Sequence, residues 1–165
     1  MPANFVPPPD ARPARAEDRG EILRIVGEVY RQMHAVYGGT PPQLDERWRG
    51  RVEESLDRRL GHDVAVYVID GKEGRLASLA VGRLAETLPS PRRENVMEGY
   101  IEWVGTDPAY RGRGYASSVT THLLDWFRSQ EATSVSLTAS PEAESLYRTM
   151  GFTDEGPRAL SIRLT

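Results

Sequence analysis

The segment that most constrains the fold is residues 97–139, in which two apolar runs flank an amphipathic stretch. The runs MEGYIEWVGT (97–106) and TSVSLTA (133–139) predict strands. Residues 113–130 between them predict a helix, because apolar residues recur there at helical spacing. These apolar residues are Ala116, Val119, Leu123, Leu124 and Phe127. A strand, a helix and a second strand in this order form a β-α-β unit, so we expect parallel strands and a right-handed connection.

The residues before this unit predict two helices and a hairpin. Apolar residues recur at helical spacing over 17–33 and over 43–60. The β-branched run 63–70 and the run 75–85 predict two strands, and the turn DGKEG between them indicates a hairpin. The polar, proline-containing residues 88–95 predict a loop.

The residues after the unit predict one more helix and one more strand. SPEAESLYRTMGF (140–152) reads as a helix with Ser140 as its N-cap and Pro141 at its first position. The closing run RALSIRLT (158–165) alternates apolar and polar residues, which predicts a strand. Its apolar residues are Leu160, Ile162 and Leu164.

Length and composition bound the class of protein. The 165 residues predict one domain over 11–165, preceded by a flexible, proline-rich segment over 1–10. The net charge of −3 argues against a nucleic-acid partner. The chain has no cysteine, so it has no disulfide, thiolate metal site or cysteine nucleophile, and its histidines lack metal-ligand spacing. Without a membrane-spanning run or a secretory signal, we expect a soluble cytoplasmic protein.

The stretch YRGRGYA (110–116) joins the strand of the β-α-β unit to its helix. The start of a helix presents free backbone N–H groups, and glycines let a ligand approach them closely, so this stretch suits a phosphate group. Arg111 and Arg113 add positive charge. A simple turn is the alternative. The stretch lacks the P-loop pattern, and Ser117 stands where a dinucleotide fingerprint has its third glycine or alanine.

Two motifs carry a resemblance to a known family. Arg111, Gly114 and Ala116 match R/Q-x-x-G-x-G/A between a strand and a helix. Residues 140–152 match N-x-x-A-x-x-x-Y-x-x-x-G-F, with Ser140 in place of the asparagine. In both motifs the chain resembles the GCN5-related N-acetyltransferase (GNAT) family. The segment RPARAEDRGEILRI also resembles that family's first strand and first helix.

The resemblance implies a fold and two substrates. The fold is a single α/β (α+β) domain with a mixed, mostly antiparallel sheet of six or seven strands. About four helices flank this sheet, and a parallel pair of strands splays apart at its centre. The substrates are acetyl-CoA, as acetyl donor, and a primary amine on a small molecule or a peptide. Self-association is common in the family, so a homodimer is one assembly to test.

The resemblance also implies cofactor-binding residues. The pantetheine arm of the cofactor would lie in the gap between the splayed strands, against the backbone of Val104 and Thr106. Ser140 could bind this arm or only cap its helix. The loop residues that would meet the pyrophosphate are Arg111, Gly112, Arg113, Gly114, Tyr115 and Ala116.

Two residues are candidates for catalysis. Tyr147 matches the family's tyrosine that donates to the cofactor sulfur; a buried core tyrosine is the alternative. Glu102 is the candidate general base or water positioner, with a surface carboxylate as an equal alternative and Glu98 as a weaker candidate. Strand alternation predicts one face for Ile101 and Trp103 and the other for Tyr100, Glu102 and Val104. Without a cysteine, we expect direct attack in a ternary complex.

Two other functions stay open at this point. A non-catalytic module that binds or senses acetyl-CoA would keep the same glycine stretch. A nucleotide-binding protein would explain RGRG but not residues 140–152. The acceptor is not specified by the sequence, since the regions that would shape its site, about 30–60 and 86–97, match no known pattern. Tyr37, Trp48 and Trp103 could line an acceptor pocket or pack in the core.

Overall fold

The computed structural model describes residues 7–94, 96–154 and 159–165. Within these ranges five strands and four helices form. The strands are β1 (Arg12–Pro13), β2 (Val64–Asp70), β3 (Leu76–Glu86), β4 (Met97–Thr106) and β5 (Ser134–Leu137). The helices are α1 (Arg19–Tyr37), α2 (Glu46–Arg59), α3 (Tyr115–Ser129) and α4 (Glu144–Thr149). The predicted helices and the hairpin are confirmed, with helix ends shifted by a few residues. No helix in the described ranges is long and apolar enough to cross a membrane.

The five strands form one sheet in the order β1-β2-β3-β4-β5. The first three pairings are antiparallel, whereas β4 and β5 are parallel, as the β-α-β unit predicts. Pairing between β4 and β5 extends only from Glu98 to Ile101, although β4 continues to Thr106. All four residues of β5 are paired, so the second half of β4 continues past the end of β5. The parallel pair is confirmed, but the prediction that it lies at the centre of the sheet is wrong for the described residues, because no further strand pairs with β5 among them.

The predicted six or seven strands are not found, because the described residues form five. Residues 159–165 have no regular structure, so the predicted closing strand is wrong over these residues; its first residue lies outside the described ranges. Their apolar side chains Leu160, Ile162 and Leu164 are 94%, 83% and 87% exposed. Alternation stabilises a strand only where its apolar face packs against a neighbour, and here it meets none in the described chain.

The helix predicted over 140–152 is shorter than expected. Residues 141–143 form a turn, and α4 begins at Glu144. The backbone carbonyl of Ser140, rather than its hydroxyl, accepts hydrogen bonds from the N–H groups of Ala143 (3.0 Å) and Glu144 (3.1 Å). The predicted side-chain cap by Ser140 is therefore wrong, and this hydroxyl is not used to start the helix.

Buried side chains cover both faces of the sheet. On one face α1 and α2 pack against alternate residues of β2 and β3, and on the other face α3 packs. Phe127 of α3 is fully buried, and its ring lies where side chains at Gly82 and Gly99 would otherwise project. Two glycines on neighbouring strands thus let α3 approach the sheet beside the splayed pair.

Candidate active site

A cleft of about 350 Å³ lies beside the second half of β4, where β4 continues past the end of β5. We call it the splay cleft. Its walls come from the second half of α1, from β4 and from residues 138–147. The predicted site residues in its wall are Glu102, Val104, Ser140 and Tyr147. Tyr37 and Trp103 also line it, whereas Trp48 packs edge-on against Tyr30 behind the wall, at 6.3 Å between ring centroids.

Tyr147 is held in the wall of this cleft by α4. The residue is buried, and its ring packs edge-on against Phe152, with ring centroids 5.7 Å apart. Burial raises the pKa of the Tyr147 hydroxyl above its ordinary value near 10. The hydroxyl is therefore protonated at neutral pH.

Glu102 occupies a β-bulge. Val81 lies opposite Trp103 and Gly82 lies opposite Ile101, so Glu102 is the extra residue between two regular pairs. The predicted alternation is wrong across this point: Ile101 packs on the α3 face, whereas Trp103 packs on the α1 face. Because the bulge resets the alternation, Glu102 and Trp103 both reach the splay cleft.

The carboxylate of Glu102 forms an ion pair with Arg83 of the neighbouring strand. The Arg83 guanidinium also lies 4.8 Å from the ring centroid of Tyr100, a cation–π contact. Glu98, the weaker candidate base, is paired instead with Arg93 at 3.6 Å and is absent from the cleft wall. The structure thus separates the two carboxylates, and of this pair Glu102 is the one that lines the cleft.

The glycine stretch forms an exposed turn directly before α3. Gly112 and Gly114 have φ angles of 71° and 80°, in the left-handed region that favours glycine. Gly114 is the N-cap of α3, and its carbonyl accepts the Ser118 N–H at 3.0 Å. The helix start and the exposed loop residues Arg111 and Arg113 are suited to an anion.

Arg111 is already engaged by neighbouring groups. Its Nε donates to the backbone carbonyl of Thr106 at 3.2 Å, and its guanidinium lies against the side-chain amide of Gln32. Arg111 therefore links the glycine turn to the end of β4 and to α1. This placement differs from a freely projecting phosphate ligand.

Two residues that the sequence analysis missed anchor the turn. The Asp107 carboxylate accepts hydrogen bonds from the Ala109 N–H (2.9 Å) and from Arg24 of α1 (2.7 Å). Burial raises the pKa of Asp107, but these two hydrogen bonds outweigh burial and hold it below its ordinary value. The Tyr110 hydroxyl accepts the Lys72 N–H of the hairpin turn at 2.8 Å. The Asp-Pro pair that begins DPAY is a recognisable turn signal, so Asp107 could have been found from the sequence.

The wall from α1 lies largely within residues 30–60, which were expected to shape the acceptor site, but Tyr37 was its only side chain named in advance for that role. Tyr30, Met33 and Val36 line the splay cleft, and Trp103 donates from its Nε1 to the Tyr30 hydroxyl at 3.2 Å. Glu142, in the turn before α4, adds a second carboxylate to this cleft. The α1 residues were hard to identify from the sequence, because Met33 and Val36 continue an apolar helix face whose earlier residues pack in the core.

The parallel strand pair, the glycine turn before α3 and the buried Tyr147 are the features that the resemblance to the GNAT family implied. The model of the acetyltransferase (GNAT) family matches residues 29–152. The chain is also 33% identical over 117 residues to glucosamine 6-phosphate N-acetyltransferase 1 of Oryza sativa subsp. japonica, covering 70% of this chain and 68% of the relative. The chain therefore belongs to the GNAT family and is an acetyl-CoA-dependent N-acetyltransferase.

Solved structures agree on the fold. A predicted acetyltransferase with acetyl-CoA from Clostridium acetobutylicum has a TM-score of 0.76 at 19% identity, over 94% of this chain and 96% of the other. Glucosamine-6-phosphate N-acetyltransferase from Arabidopsis thaliana has a TM-score of 0.71 at 19% identity, over 94% and 98%. The family match favours an enzyme over the non-catalytic module considered from the sequence.

Proposed function

We propose that this enzyme transfers the acetyl group of acetyl-CoA to a primary amine by direct attack in a ternary complex. The observation that carries the proposal is the splay cleft. It brings a buried tyrosine and a carboxylate to the half of β4 that has left β5. A proton acceptor, a proton donor and a strand edge are the groups that aminolysis of a thioester requires.

Acetyl-CoA would bind along the gap and the glycine turn. The left-handed glycines and the start of α3 support a pyrophosphate site. The residues proposed to form it are Arg111, Gly112, Arg113, Gly114, Tyr115 and Ala116. The backbone of Val104 and Thr106 would meet the pantetheine arm. Ser140 lines the cleft and makes no side-chain cap, which supports a contact between its hydroxyl and the arm.

Glu102 and Tyr147 divide the proton transfers between them. An alkyl amine has a pKa near 10, so it must lose a proton before it attacks. Glu102 accepts this proton directly or through a water molecule, and the amine nitrogen forms a bond to the thioester carbon. The backbone N–H groups of the β4 edge stabilise the oxyanion. When the C–S bond breaks, Tyr147 donates its proton to the departing thiolate, and the second proton lost by the new amide nitrogen restores the Tyr147 hydroxyl.

The amine acceptor is the remaining element of the proposal. The rice relative is named for glucosamine 6-phosphate, so a phosphorylated amino sugar is the first acceptor to test. The aromatic and apolar wall from α1 supports a small organic amine, because such a wall excludes water from the attacking nitrogen.

The test is release of free CoA from acetyl-CoA in the presence of an amine panel, measured with a thiol reagent. The chain contains no cysteine, so the protein itself contributes no thiol signal. Direct attack predicts intersecting initial-rate lines and no mass increase of the protein after incubation with acetyl-CoA alone. Parallel lines together with an acetylated protein would contradict a ternary complex, and no CoA release with any amine would contradict the activity on amines.

A further inference from the structure

A second cleft lies beside the splay cleft, and we propose that it binds an acidic group of the acceptor, a phosphate or a carboxylate. We call it the arginine cleft, because Arg51, Arg59 and Arg83 line it. The inference rests on the proposed function, since it specifies the chemical class of the amine: a small amine that carries an anionic group at its other end.

The position of the arginine cleft supports this role. It has a volume of about 270 Å³ and lies between α2 and the sheet. Glu102 and Trp103 line both this cleft and the splay cleft. An acceptor whose amine meets Glu102 therefore has its other end directed toward the three arginines.

The cleft has a polar wall and an apolar floor. Arg51, Ser55 and Arg59 recur every four residues along α2, so they lie on one face of the helix. The floor is formed by Val52, Leu56, Val64, Val81 and Trp103. An apolar floor beneath cationic groups suits a short carbon skeleton that ends in an acid.

The charge of the cleft is opposite to that of the whole chain. Three arginines and one carboxylate line it, whereas the chain as a whole carries a net charge of −3. Within the described residues Arg51 has no acidic partner. Arginine concentrated in a cleft of an acidic protein favours an anionic ligand, because the guanidinium group binds carboxylate and phosphate oxygens in pairs.

The other two arginines keep donors available. Arg59 donates to Asp63 from Nε and Nη2, at 3.0 and 2.6 Å, and Arg83 donates to Glu102 from Nε. A guanidinium group has five N–H donors, so each retains others for a ligand. An acid that reaches Arg83 would also compete with Glu102 for it, which would couple acceptor binding to release of the proposed base.

Equilibrium binding tests the inference without turnover. Matched amines are titrated calorimetrically into the protein with CoA present, so that no acetyl group is available. The pairs are glucosamine 6-phosphate and glucosamine, O-phosphoethanolamine and ethanolamine, and β-alanine and β-alaninamide. We expect at least one acidic member to bind about tenfold or more tightly than its neutral partner. The phosphate and carboxylate pairs show which acid the cleft prefers.

Variants then locate the acid. Arg51→Gln and Arg59→Gln are each expected to reduce the preference for the acidic member about tenfold. Arg51→Gln is the more specific of the two tests, because Arg51 forms no ion pair with any residue that the structure describes. Arg58→Gln is the matched control, since Arg58 is exposed on the same helix outside the cleft and its loss removes the same charge.

The outcomes separate this inference from the proposed function. Equal binding of acidic and neutral amines would overturn the inference. It would also be overturned if Arg58→Gln reduced the preference for the acidic amine as much as Arg51→Gln does. CoA release without any preference for acidic amines would uphold acetyl transfer and overturn the arginine cleft. Binding that depends on Arg51 with no CoA release would uphold the cleft and contradict acetyl transfer.

Discussion

Glu102 and Trp103 are neighbours in sequence, yet both side chains lie on the face of the sheet that packs against α1 and α2. A regular strand would place one of them on the α3 face, but the β-bulge at Glu102 resets the alternation. The bulge thereby places a carboxylate and an indole side by side at the junction of two clefts. Without the bulge, regular alternation would direct one of these two side chains to the other face; with it, Glu102 lines the cleft and is a candidate proton acceptor.

Replacement of Glu102 tests its role as base. We expect Glu102→Gln to reduce kcat about a hundredfold, because a positioned general base contributes about 10²–10⁴ in rate. Glu98→Gln is the matched control, since Glu98 lies on the same strand and is paired outside the cleft. Steady-state kinetics with a fixed amine measure both variants. An equal loss of kcat in the two variants would show that removing a negative charge from β4 causes the effect, and would contradict proton transfer by Glu102.

Replacement of Tyr147 by phenylalanine separates the hydroxyl from the ring. The ring contact with Phe152 is retained, so we expect the melting temperature to change little. We expect kcat to fall about tenfold to a hundredfold, with little change in the KM for acetyl-CoA, because the leaving thiolate loses its proton donor. A Tyr147→Phe enzyme with wild-type kcat would show that Tyr147 serves only in packing.

The pH dependence gives a second test of Tyr147. Burial raises the pKa of its hydroxyl, so the proton is retained as pH rises through 10. We therefore expect any basic limb of the kcat profile below pH 10 to be the same in the wild type and in Tyr147→Phe. A basic limb that disappears in the variant would mean that Tyr147 ionises within the working range.

Local patterns predicted much of the fold. The bounds of β4 follow from the sequence, since its apolar run lies between polar residues, and the glycine turn before α3 follows from its positive-φ residues. The closing strand failed because alternation over 158–165 does not specify a partner. Helix α4 was overextended because Pro141 suits either the first helical position or a turn.

The candidate site residues were named from the sequence, but their arrangement was not. Tyr147 was named from the motif over 140–152, and Glu102 was named from its position in the strand over 97–106. Their shared cleft depends on how far β4 continues past the end of β5, and the faces of β4 depend on a bulge. Both arise from pairing between distant segments, which local periodicity does not contain. The Arg24–Asp107 contact, which links residues 83 positions apart, was missed for the same reason.

Gly114 tests the glycine turn. Its φ of 80° strains any residue with a side chain, so we expect Gly114→Ala to lower the free energy of unfolding by about 1 kcal/mol. The added methyl group also stands between a ligand and the start of α3, so we expect the Kd for acetyl-CoA to rise about tenfold or more. Gly20→Ala is the control, because Gly20 lies in α1 with open space around it. Unchanged affinity in Gly114→Ala would exclude close backbone contact with the ligand.

Asp107 predicts loss of stability in acid. Its hydrogen bonds hold its folded-state pKa below the ordinary value near 3.8, so its contribution to stability is present above that value and is lost as pH falls through the folded pKa. At pH 7 we expect Asp107→Asn to lower the free energy of unfolding by about 2 kcal/mol, because the Arg24 contact is lost. Below the folded pKa the wild type and the variant should converge, since Asp107 is then protonated in both states. Urea unfolding at pH 7 and at a series of lower pH values measures the gap. The comparison between variants removes the parallel acid effects of Asp18 and Glu21, whose pKa values are also lowered. A gap that is as large in acid as at pH 7 would show that Asp107 acts through hydrogen bonds that do not require its charge.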